Sequence, residues 1–258
     1  MLDKLRLAAI AATLTLTLAP GASLGGTSSA VPAPAPQARA ATAIAAASAA
    51  APARAPAPEP EFGLHAHEHD HGSGLAPGQS ADDFRAWLAK SPANRARLGA
   101  FEDRLEADGV DGVVPVWQLV RTSSSWSQCG AEPFETPPAD KWQHIVTTLK
   151  FVRDKVEPAI GKVEALSAYR NERLNACSAG APKSAHRQFF ALDLTPVAAD
   201  VSRDRMIRGI CAAHARSGSV YRAGLGFYSG KRFHVDSNGY RKWGPDGRGA
   251  SSPCVTQA

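Results

Sequence analysis

Apolar residues recur at helical spacing in several stretches of this chain. In SADDFRAWLAK they are Phe84, Trp87 and Leu88, and in NRARLGAFEDRLEAD they are Leu98, Phe101 and Leu105. Both stretches read as amphipathic helices, because residues three and four apart share one helix face. Between Ala139 and Val156 a longer stripe runs through Trp142, Ile145, Val146, Leu149, Val152 and Val156, and Pro158 is expected to stop it. Such a stripe reads as core, so this helix is expected to pack over a sheet. A further helix is expected from Arg203 to Ala215, ending near Gly218. Val163 to Tyr169, Phe190 to Leu194, Ser219 to Tyr228 and Arg232 to Asp236 read as strands, the last two paired through a turn at Ser229 and Gly230. Strands and helices without regular alternation predict an α+β domain, a small antiparallel sheet with helices packed on it.

The first eighty or so residues have a different character. MLDKLRLAAIAATLTLTLAPGAS has an early basic pair, Lys4 and Arg6, an apolar run from Leu7 to Leu18, then small residues. This is the pattern of a secretory signal peptide, read over residues 1–24, and the run is too short for a stable membrane span. No Cys follows it, so a soluble exported protein is expected, in the periplasm or cell envelope. Residues 25–79 read as a tether: Ala and Pro dominate, and Pro at that density denies the backbone both donors and helical freedom. Within it HAHEHDHG, His65 to Gly72, alternates four histidines and reads either as a loose metal-capture tract or as polar linker. Residues 80–258 are left as one domain.

Four cysteines, Cys129, Cys177, Cys211 and Cys254, suit two disulfides in an exported chain, with three pairings open. None lies in a C-x-x-C pair, so a thiolate metal site or a redox motif is not expected. The net charge of +5 is compatible with an anionic partner. No dense Lys/Arg tract interleaved with aromatics is present, so nucleic acid is not the expected one. His144 and His214 lie on predicted helices without partners at ligand spacing and read as surface or core histidines.

The chemistry of interest lies in His186, Asp193 and His234. A catalytic zinc commonly takes three protein ligands from His, Asp or Glu and leaves a fourth position for water, whose pKa falls to about 7. In RFHVD, alternate side chains of a strand share a face, so Asp236 is expected beside His234. It is the candidate general base, with the alternative that it holds an imidazole in its metal-binding tautomer.

The flanks of these residues resemble the zinc D-Ala-D-Ala carboxypeptidase and murein endopeptidase family, whose superfamily includes vancomycin-resistance dipeptidases and hedgehog-like zinc domains. That family's S-x-Y-R run, Asn, small-residue turn and S-x-H-x-x-G-x-A-x-D stretch are similar to Ser167, Tyr169, Arg170, Asn175, Gly180, Ala181, Ser184, His186, Ala191 and Asp193. Its Gly-rich strand ending in an F-H-x-D run is similar to GLGFYSGKRFHVD, Gly224 to Asp236, and the resemblance spans roughly Ser167 to Trp243. It implies a zinc site on His186, Asp193 and His234. It also implies an Arg170 that faces substrate and binds a carboxylate or a developing oxyanion, with a structural ion pair as the alternative. From its position two residues before His186, Ser184 is expected either to hydrogen-bond substrate or to orient the metal loop, and Tyr169 either to line the cleft or to pack beside its strand. The substrate class implied is peptides containing D-amino acids in peptidoglycan. Two departures stand out. Phe189 replaces the family's Gly between the first His and the Asp, and Lys231 stands where many members carry the basic carboxylate. The expected function is a zinc peptidase of the bacterial cell envelope acting on stem peptides or crosslinks. Two alternatives remain: a non-catalytic peptidoglycan-binding module with a structural zinc, and a metal-handling protein centred on the His-rich tract.

Overall fold

A computed structural model describes residues 74–256; the expected signal peptide, most of the tether and the His-rich tract lie outside the described residues. The packed chain begins ahead of the first helix. Gln79 is fully buried and donates through Nε2 to the Pro133 carbonyl at 2.9 Å, and the Trp126 indole N–H donates to the Pro77 carbonyl at 3.0 Å. Helices α1 (Ala81–Ala89) and α2 (Pro92–Ala107) follow as expected, each started by a serine whose hydroxyl accepts a first-turn N–H. Ser80 and Asp83 complete a reciprocal capping box on α1. Phe84, Trp87, Leu98, Phe101 and Leu105 are buried, as their spacing predicts.

After the short α3 (Val116–Leu119), the long apolar stripe forms a 3₁₀ turn at Ala139–Lys141, then α4 (Trp142–Phe151). The expected stop at Pro158 is not where the helix ends. A π-helical turn, Val152–Val156, lets the Glu157 N–H donate to the Val152 carbonyl, and α5 (Glu157–Ile160) carries Pro158 in its first turn. Proline lacks an N–H and is tolerated only where none is needed. The first turn of a restarted helix is such a place. Gly161, at φ +85°, ends the run.

Five strands form one sheet in the order β1 (Val163–Ser167), β2 (Ala191–Pro196), β4 (Phe233–Asp236), β3 (Gly224–Phe227), β5 (Arg241–Trp243). Four strands are antiparallel to their neighbours, and β5 adds a parallel edge beside β3. The expected strand from Ser219 shrinks to Gly224–Phe227, because residues 219–222 turn tightly out of α7 (Arg203–Ser217). One sheet face carries Leu192, Leu194, Leu225, Phe227, Phe233 and Val235, all fully buried. Helix α4 packs on β2 and β4, while α7 packs on α5 and the π turn, so the core lies between sheet and helices.

Two disulfides pair the cysteines as Cys129–Cys177 and Cys211–Cys254. The first ties the loop before Gly130 to α6 (Glu172–Cys177), and the second ties α7 to the terminal α8 (Pro253–Thr256). Both suit an oxidising compartment. Among the described residues no helix is long and apolar enough to cross a membrane.

His214, on α7, is a satisfied core histidine: its Nε2–H donates to the Ala223 carbonyl at 2.8 Å and its ring stacks on Tyr240. Burial lowers its pKa below 6.5, and Lys242 acts in the same direction against the Ala223 carbonyl and Asp236. The unfolded chain therefore takes up a proton near pH 6.5 that the folded protein refuses until lower pH, so stability falls as pH drops through that window. His214→Gln is expected to make the decline in urea midpoint between pH 7 and pH 5 shallower. An unchanged slope would rule out this histidine as a source of the acid sensitivity.

Candidate metal centre

The sheet face opposite the core brings three of the expected residues together. Ser167, Asp193 and His234 are register partners across β1, β2 and β4. Directly opposed residues on neighbouring strands project on the same side, so Asp193 and His234 emerge side by side. His186 reaches them from the 3₁₀ turn Ala185–Gln188 that leads into β2. The hydroxyl of Ser184 caps this turn by accepting the His186 N–H.

Each imidazole is aimed by the nitrogen that does not face the centre. His186 donates its Nδ1–H to the Ala168 carbonyl at 2.6 Å, which leaves Nε2 pointing inward. His234 donates Nε2–H to Asp236 Oδ2 at 2.7 Å, which leaves Nδ1 pointing inward. The inward atoms form a nearly equilateral triangle: His186 Nε2 lies 3.2 Å from His234 Nδ1 and 3.3 Å from Asp193 Oδ1, and His234 Nδ1 lies 3.1 Å from the same oxygen. With both ring protons committed outward, three lone pairs converge. Such a cluster requires positive charge at its centre, either a proton on His234 or a metal ion, so this buried group could hold a metal.

The electrostatics differ between the two imidazoles. Burial, helped by the nearby Arg170, pushes His186 down to about 4, so its Nε2 is free of a competing proton at neutral pH. Burial alone would raise Asp193, but at the acid pH where it would titrate the imidazoles carry protons, and His186 and Arg232 foremost hold it well below the usual carboxylate range. Burial alone would lower His234, yet Asp193 and Asp236 raise it. Asp193 is further fixed by the Tyr228 hydroxyl, which donates to Oδ1 at 3.0 Å, and by Arg232 Nη2, which donates to Oδ2 at 2.7 Å. Arg232 in turn is held by the Ser124 hydroxyl at 2.9 Å.

The remaining expected residues separate into two groups. Arg170 stays at the centre: its Nη2 lies 4.0 Å from Asp193 Oδ2, its side chain is only 12% exposed, and its buried Nε has no hydrogen-bond partner among the described residues. Asp236 does not sit where a base would have to be. It lies against the far nitrogen of His234, is fully buried, and also accepts Arg241 Nη1 at 2.9 Å, Arg241 Nη2 at 2.6 Å and the Asn238 N–H at 2.7 Å. These contacts do not place Asp236 as the expected base and match the alternative reading instead, a carboxylate that fixes the orientation of the His234 imidazole. Lys231 points away and donates to the Ala199 carbonyl. Ser184 is engaged as the cap of the His186 turn, and Tyr169 is buried edge-on against Phe189 under Lys141 rather than lining an opening. His144 stands outside the centre, with Nδ1 2.7 Å from the Gln188 carbonyl.

Sequence reasoning passed over Arg232, Arg241 and Trp243. For the last two a signal existed: R-x-W repeats the two-residue spacing of G-x-G in Gly224 and Gly226, and parallel neighbours with matched spacing share a face. No family model, curated protein or solved structure matches this chain.

Proposed function

We propose that the chain is a zinc metallopeptidase of the cell envelope that hydrolyses amide bonds in peptidoglycan stem peptides or crosslinks. The observation that carries this reading is the triangle of His186 Nε2, Asp193 Oδ1 and His234 Nδ1, with edges of 3.1–3.3 Å. Ligand atoms about 2.0–2.1 Å from a tetrahedral zinc lie roughly 3.3 Å apart, and two imidazoles with one carboxylate are a donor set zinc accepts. Three protein ligands leave one position open, as catalytic sites do and closed structural sites do not. The chemistry a zinc ion supplies there is Lewis acidity, polarising a scissile carbonyl and acidifying water.

The chain's own residues supply the rest. Asp236 keeps Nδ1 of His234 turned to the centre, while Tyr228 and Arg232 hold the Asp193 carboxylate in one orientation. Arg170 brings a permanently charged fork whose Nε lacks a partner among the described residues. An anion beside it, a substrate carboxylate or the oxyanion of a tetrahedral intermediate, would satisfy it. The substrate class rests on the family resemblance of Ser167 to Trp243, and export on the N-terminal pattern together with the two disulfides.

A second reading draws on the positions of Asp236 and Lys231, neither of which can take a proton from water at the ligand atoms. It makes the domain a peptidoglycan-binding module whose metal is structural. One experiment separates the two. Zinc-loaded full-length protein is incubated with purified muropeptides and the products are weighed by mass spectrometry, with His186→Ala as control. Loss of one alanine marks a carboxypeptidase, and a split crosslink marks an endopeptidase. Retention of muropeptides without product from the wild type would reject the peptidase and favour the binding module.

A further inference from the structure

The edge strand β5 is three residues long and joins the sheet only through β3. Its side chains nevertheless reach across β3 to the metal side of β4. Gly226 is the register partner of both His234 and Trp243, and Gly224 is the partner of both Asp236 and Arg241. At each crossing the intervening residue is glycine for a steric reason. A Cβ on Gly224 would overlap the Asp236 carboxylate and the Arg241 guanidinium, and one on Gly226 would overlap the Trp243 indole. Through these two gaps Arg241 grips Asp236 with both Nη atoms, at 2.9 and 2.6 Å. Trp243 places its ring 5.4 Å from the His234 ring and 5.3 Å, edge-on, from Tyr228, the residue that donates to Asp193.

We propose that Arg241 and Trp243 are positioning residues which set how tightly His234 and Asp193 hold a divalent metal, and that β5 is the clip that carries them. This rests on the metal reading given above but not on the peptidase reading. Arg241 fixes the Asp236 carboxylate so that its Oδ2 receives the His234 Nε2–H, and the imidazole must then present Nδ1 to the metal. Trp243 lies against the His234 and Tyr228 rings and restricts their rotation. The edge position matters, because a short strand paired on one side is the part of a sheet that opens most readily.

The test measures metal binding by the full-length protein, with no turnover required. Zinc affinity is read by competition with a chromophoric chelator, and ligand geometry by the visible absorption of the cobalt-loaded protein. Arg241→Met is expected to weaken zinc binding about tenfold or more and to alter the cobalt bands, with Arg241→Lys recovering part of both. The Arg241 side chain is 42% exposed, so the fold should tolerate the change. If Arg241→Met does not fold, Trp243→Phe carries the comparison, with a several-fold loss expected. A folded Arg241→Met or Trp243→Phe protein with wild-type zinc affinity and cobalt spectrum would overturn the inference. A wild type that binds no divalent metal would overturn it together with the metal reading. Tight zinc binding without cleavage of muropeptides would count against the peptidase alone.

Discussion

Asp236→Asn is expected to weaken zinc binding by about 10- to 100-fold, the range seen when the hydrogen-bond partner of a metal-ligating histidine is lost. The change is nearly isosteric, so its effect is chemical. Asp236 accepts four hydrogen bonds, from His234 Nε2, Arg241 Nη1, Arg241 Nη2 and the Asn238 N–H, and donates none. An amide replaces one acceptor oxygen with an NH₂ group that must face donors on that side. It also removes the negative charge that, against the cost of burial, is stabilised by His234 and Arg241 and holds Asp236 down at about 2. The buried mismatch should lower stability by about 1–3 kcal/mol as well. A general base would behave differently: its amide would bind zinc as the wild type does and lose turnover only. Isothermal titration of zinc into the two proteins therefore decides the role of Asp236, and equal affinities would restore the base assignment.

The contrast between the two roles shows what could be read from the chain alone. The grouping of His186, Asp193 and His234 was legible from their distinctive flanks, with Asp193 and His234 on expected strands and His186 in the turn ahead of one, and period-2 alternation put Asp236 on the face of His234. Alternation gives the face but not the ring nitrogen. Which side of the imidazole Asp236 meets depends on Asp193 and His186 approaching from the other side, and β2 is far from β4 in sequence. The role of β5 escaped for a related reason. RKW is too short and too polar to read as a strand, and its value comes from two glycines fifteen to nineteen residues earlier that leave room for its side chains. The helices with apolar stripes were legible throughout. Only the passage of α5 through Pro158 was not, because a π turn that resets the hydrogen-bond register leaves no mark in hydrophobic spacing.

Phe189 is the departure whose cost can be measured. It ends the 3₁₀ turn that carries His186 in a left-handed conformation, φ 59° and ψ 31°, a backbone region that favours glycine. In exchange its ring is fully buried between Phe101, at 5.7 Å, and Tyr169, at 6.3 Å. Removing a buried phenyl ring costs roughly 3–5 kcal/mol, and releasing a non-glycine residue from the left-handed region returns about 1–2 kcal/mol. Phe189→Gly is therefore expected to destabilise by about 3 kcal/mol, read from the urea midpoint at unchanged slope, while zinc affinity stays within a few-fold because the backbone path to His186 is preserved. Phe189→Ala supplies the sharper comparison. It loses the same ring but keeps the Cβ in the left-handed region, so it should be less stable than the glycine variant, the reverse of the order found in helices and strands. An alanine variant as stable as the glycine one, or more so, would mean that the ring alone matters and the backbone conformation at residue 189 carries no strain.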